Sequence, residues 1–85
     1  MEHTTNMTSI RREMINQFRY VCKLVINYCP GEYAKAYARR GMDMITDQEI
    51  NAQCLYILSN MRSWRGPLAT MARDGLKQIE RETRV

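Results

Sequence analysis

Residues 9–31 read "SIRREMINQFRYVCKLVINYCPG". Ile10, Met14, Phe18, Val21, Val25 and Tyr28 recur at intervals of four, four, three, four and three, and Ile15, Cys22 and Ile26 widen the same stripe. Arg11, Arg12, Asn16, Arg19, Lys23 and Asn27 fall on the other side. Residues three and four apart stack on one face of an α-helix, so this spacing predicts an amphipathic helix over about 9–28. Thr8 or Ser9 is the expected N-cap. Cys29-Pro30-Gly31 closes the segment, because proline disfavours helical backbone in the residue before it. The stripe is wider than pairing with one short helix requires.

The rest of the chain repeats the pattern in shorter pieces. "GEYAKAYARRG", residues 31–41, predicts a second helix over about 31–40. Its alanines favour helix, Arg39 and Arg40 suit the negative end of the helix dipole, and Gly41 is expected as a left-handed cap. Thr46-Asp47-Gln48-Glu49 has the Thr-x-x-Glu spacing of a capping box. A third helix is expected from there to about Ser63, with Ile50, Cys54, Ile57, Leu58 and Met61 on its apolar face and Trp64 continuing it. Gly66-Pro67 breaks the chain, and proline suits the first turn of a fourth helix. Leu68, Met71, Ala72, Leu76 and Ile79 carry that helix to about residue 82, across an interior Gly75 that costs it about 1 kcal/mol relative to alanine. No strand alternation or repeat is present. The expected fold class is all-α: four short amphipathic helices in a small bundle, paired with a second copy. Residues 1–8 are read as a flexible tail and 9–85 as a single helical domain.

Composition narrows the function. A chain of 85 residues forms one domain that buries only about 60% of its unfolded surface, which leaves help from a partner chain plausible. Hydrophobic residues are 45% and charged residues 26%, which argues against wholesale disorder. The net charge of +4 lies entirely in residues 1–41, where seven basic side chains face three acidic ones; residues 42–85 carry six of each. That excess favours acidic partners or phosphates, though it is modest for a dedicated nucleic-acid binder. Three cysteines, Cys22, Cys29 and Cys54, cannot all pair within one chain. On one helix Cys22 and Cys29 would stand about 10 Å apart, too far for a disulfide. A reducing cytoplasm is the expected compartment. The opening "MEHTTNMTS" is too polar for a signal peptide, and no apolar run reaches membrane-spanning length.

Candidate chemistry is sparse. The sole histidine, His3, has no evident nucleophile or acid partner, the cysteines lack the paired close spacing of zinc sites, and the glycines are isolated. No catalytic residue, cofactor or metal is expected. Trp64 in "RSWRGP", residues 62–67, reads first as a partly buried anchor where the third helix meets the fourth. Flanking Arg62 and Arg65 also make it a candidate contact hot spot. For nucleic acid, a helix-turn-helix made of the second and third helices would aim Asp47 and Glu49 at phosphates, which is unfavourable. A backbone-only patch of Arg11, Arg12, Arg19, Lys23, Lys35, Arg39 and Arg40 is the surviving form of that alternative.

The stretches "NMTSIRREMINQFRYVCKLV", "GEYAKAYARRG" and "DQEINAQCLYILSNM" resemble the small helical accessory proteins of lambdoid bacteriophages, of the kind encoded in the exo–xis region. The resemblance spans most of the chain. It implies a phage or prophage product that acts by binding in the host cytoplasm, and it brings no catalytic or metal-site residues. The expected function is therefore non-catalytic interaction or regulation through Ile10, Met14, Phe18, Val21, Val25 and Trp64. The partner is another protein or a second copy in a twofold homodimer, with the basic patch as the nucleic-acid alternative.

Overall fold

The computed structural model describes residues 2–84, with side chains from Ile10 onward. The described residues form four helices: α1 (Glu2–Tyr28), α2 (Glu32–Gly41), α3 (Asp47–Ser59) and α4 (Pro67–Thr83). They pack in a cycle, α1 on α2, α2 on α3, α3 on α4 and α4 back on α1. The small all-α bundle is the architecture that the apolar periodicity predicts. Its extents are 46 × 22 × 19 Å, and the long dimension matches α1, whose 27 residues span about 40 Å.

The start of α1 differs from expectation. Helical backbone continues through Thr8 and Ser9 to Glu2, so neither residue is an N-cap and residue 8 is not a helix boundary. No proline or glycine precedes Pro30, so nothing in the backbone chemistry of residues 2–9 breaks the ladder, and threonine and serine cost an ongoing helix only a few tenths of a kcal/mol each. At the other end the Cys29 N–H still bonds to the Val25 carbonyl at 3.0 Å before Pro30 stops the helix.

Gly41 also differs. It is the last helical residue of α2, followed by Met42 at φ −60° and ψ −25°, so it is no left-handed cap. The absence of a side chain matters there for another reason. A Cβ on Gly41 would stand 3.0 Å from Cys22 Sγ and from two ring atoms of Phe18, so glycine lets the end of α2 lie directly on α1. Arg19 locks the same junction by donating from Nε to the Met42 carbonyl at 2.9 Å.

The Thr46 N-cap of α3 forms as its spacing predicts, with Glu49 returning to the Thr46 hydroxyl rather than to its backbone N–H. Thr46 Oγ1 accepts the Glu49 N–H at 3.2 Å and donates to Glu49 Oε2 at 2.7 Å. The helix ends at Ser59, four residues short of the expected Ser63. Ser59 Oγ and Asn60 Nδ2 donate to the Leu55 and Tyr56 carbonyls at 2.9 and 2.8 Å, offering those acceptors an alternative to the helical ladder. The turn that follows swings both Met61 and Trp64 inward. Gly66, at φ 109°, supplies the backbone conformation that starts α4.

The core runs from Phe18, Val21, Cys22 and Val25 of α1 through Ala34 and Ala38 to Ile50, Cys54 and Ile57, and closes on Ala69, Ala72, Leu76 and Ile79. The middle of the wide α1 stripe, Phe18 to Val25, is buried within one chain because α2 and α4 flank it on two sides, while Ile10 and Tyr28 at its ends stay exposed. Polar ties brace the periphery. Gln53 Nε2 donates to the Tyr37 carbonyl at 2.8 Å, and Asn51 Nδ2 donates to the Glu80 carbonyl at 2.8 Å.

Candidate functional site

Burial divides the six residues expected to contact a partner. Phe18 and Val25 are fully buried, Val21 is 4% exposed and Trp64 7% exposed. All four belong to the core, and none forms a surface; Trp64 is the anchor of the α3–α4 elbow, with its carbonyl taking a 2.9 Å hydrogen bond from Arg73 Nη2. Only Ile10, 64% exposed, lies open to solvent, with Met14 half-buried behind it. The physical reason is α4. Its Gly75 lets it settle against Val21, which covers the part of the stripe that α2 leaves open.

Ile10 and Met14 line a groove of about 600 Å³ where the first half of α1 meets the start of α3 and the last turn of α4. The other lining residues are Arg11, Glu13 and Gln17 of α1, Asp47 of α3 and Glu82 of α4. Arg11 Nη1 pairs with Asp47 Oδ1 at 3.5 Å. That oxygen is buried and accepts no hydrogen bond among the described residues, so the contact is an ion pair without hydrogen-bond geometry. Among the described residues three carboxylates stand against one guanidinium, which makes this lining acidic in a chain whose net charge is positive.

On the other flank of α1 a smaller cleft of about 280 Å³ is lined by Arg11, Arg12, Ile15, Asn16, Arg19 and Ile45, with no carboxylate among them. Ile45, in the α2–α3 connector, is 57% exposed. The seven cations of the expected basic patch are thus unevenly available. Arg11 is paired with Asp47, Arg19 is tied to the Met42 carbonyl, and Lys35 Nζ sits 3.2 Å from Glu32. Arg12, Lys23, Arg39 and Arg40 are exposed and form no ion pair among the described residues.

Three tyrosines mark a further surface on α2 and α3. Tyr33 is 75% exposed, Tyr56 is 51% exposed, and the Tyr37 and Tyr56 rings are 5.4 Å apart at a 30° tilt.

Burial pushes the Cys22 and Cys54 thiols up to about 12, which favours the protonated thiol at neutral pH. Cys29 is buried as well, with its Sγ accepting the Gly31 N–H at 3.4 Å. Hydrogen bonds from Arg84, and more weakly from Asn51, hold the Glu80 carboxyl below the usual glutamate range. Among the described residues no three His, Cys, Asp or Glu side chains gather as metal ligands, and no helix is long and apolar enough to cross a membrane. The side chain of His3 lies outside the described residues.

Sequence reading missed Glu13, Gln17, Asp47, Glu82 and Ile45 as site residues. Asp47 stood out in a capping motif and as an acid that disfavours phosphate contact by α3, and nothing in the spacing connects it to Glu82 or to α1. The chain matches no protein-family model, no curated protein and no solved structure.

Proposed function

We propose that the protein is a non-catalytic interaction module that docks a protein partner in the groove beside the first half of α1. The observation that supports this is Ile10. A β-branched apolar side chain is left 64% exposed in the lining of a concavity of about 600 Å³, where covering it would release the hydrophobic free energy that the monomer leaves unused. Glu13, Asp47 and Glu82 around it form the polar rim that gives such an interface its specificity. The resemblance to lambdoid phage accessory proteins adds a regulatory role in the host cytoplasm.

The test compares the tagged chain with Ile10→Asp as baits in a bacterial cell extract, after circular dichroism shows that both are equally folded. Proteins held by the first and released by the second support the reading; identical capture profiles reject it.

A second reading is a nucleic-acid contact through the carboxylate-free cleft at Arg11, Arg12 and Arg19, extended by Lys23, Lys35, Arg39 and Arg40. It is supported by the exposed cations of that face and requires binding that weakens steeply with salt, as phosphate neutralisation does.

A further inference from the structure

We infer that the occupant of the groove is the opposite flank of α1 in a second copy of the chain, so that copies associate head to tail. This rests on the reading of the groove as a protein-docking surface and gives it a specific partner.

The two flanks are complementary in charge and alike in having an apolar centre. The groove joins Ile10 and Met14 to the carboxylates of Glu13, Asp47 and Glu82, with Arg11 the one cation among the described residues. The cleft joins Ile15 and Ile45 to the guanidinium groups of Arg12 and Arg19, shares Arg11, and contains no acid among the described residues. Ile45 is 57% exposed and Ile10 64% exposed, so each surface carries one large apolar side chain that the monomer does not cover.

Helix geometry sets how they meet. At about 100° per residue, Ile10, Glu13, Met14 and Gln17 occupy one arc of α1, while Arg12, Ile15, Asn16 and Arg19 occupy an arc centred about 160° away. A twofold contact that set groove on groove would bring Glu13, Asp47 and Glu82 against their own copies, and like charges at an interface are repulsive. Cleft on groove brings opposite charges together. Because the two surfaces point apart, one copy cannot use both against the same neighbour, and the contact is heterologous. Ile45 of one copy then covers Ile10 and Met14 of the next, and Arg12 and Arg19 reach Glu13 and Glu82. Arg19 spends only Nε on the Met42 carbonyl, so its terminal nitrogens remain to donate.

Light scattering after size exclusion tests this on the full chain over a range of concentrations, at about 20 mM and about 500 mM salt. The expected result is a mass that rises with concentration and falls in high salt. Glu13→Lys and Arg12→Glu, each checked for unchanged helicity, should separately weaken association about tenfold or more. Their equimolar mixture should associate like the unaltered chain, because each variant then meets its opposite. A mass that stays at the monomer throughout overturns the inference, as does a mixture no better than its components, or a Glu13→Lys variant that associates more tightly, the signature of groove on groove. If the chain is monomeric while Ile10→Asp still releases a captured protein, self-docking falls and the docking role of the groove stands. If neither effect is seen, both fall.

Discussion

Gly75 of α4 lies so close to Val21 of α1 that a Cβ built on the glycine would stand 2.9 Å from Val21 Cγ2. A glycine in the middle of a 17-residue helix weakens that helix locally, by about 1 kcal/mol relative to alanine. What it provides is the approach of α4 that buries the second side of the α1 stripe.

Gly75→Ala is accordingly expected to lower stability by about 1 kcal/mol, since overpacking costs about 1–3 kcal/mol and exceeds the gain in helix propensity. In a Val21→Ala background, where the methyl is gone, the same change should stabilise. Urea denaturation of the four proteins measures the coupling. An equal effect in both backgrounds would show that the α1–α4 contact does not depend on this pair.

Trp64 is 7% exposed in the α3–α4 elbow, so its removal should be felt as lost stability. Trp64→Ala is expected to cost about 3–5 kcal/mol, a large share of the roughly 5 kcal/mol available to a small domain. Thermal unfolding followed by circular dichroism reads this directly. A loss under about 1 kcal/mol would return Trp64 to the surface and to its candidate role as a contact.

In a Cys29→Ala background the remaining thiols should resist a thiol-specific reagent at pH 8 until the protein unfolds. Cys22 and Cys54 are raised from 9.0 to about 12 by burial. A raised folded-state value means that their contribution to stability is complete below 9.0 and is lost as pH climbs from there toward about 12. Rapid native-state labelling would contradict this placement.

Glu80 titrates in the other sense. Its carboxyl is held below the usual glutamate range by Arg84 and then by Asn51, so its contribution is present above the ordinary glutamate value and is lost as pH falls through the depressed one. Glu80→Gln should therefore be less stable than the unaltered chain at neutral pH and converge with it in acid. Parallel melting curves at every pH would remove the role of Glu80.

Arg39→Glu with Arg40→Glu tests the nucleic-acid reading, because both side chains are exposed in the last turn of α2. Any retention of DNA in a gel-shift titration should be abolished. Retention unchanged by the double substitution would reject a backbone contact through this face.

The helices themselves, the Thr46 cap, the Pro30 stop and the Pro67 start were legible in the chain, because periodicity, caps and proline act over three or four residues. So was the fate of Trp64 as an elbow anchor. Which part of the α1 stripe stays open was decided only by tertiary structure. Phe18, Val21 and Val25 vanish into the core while Ile10 does not, because α2 ends on Phe18 and α4 is admitted by Gly75. Likewise the acidic groove joins Glu13, Asp47 and Glu82 from three helices, and local spacing carries no information about residues that become neighbours only when the chain closes on itself.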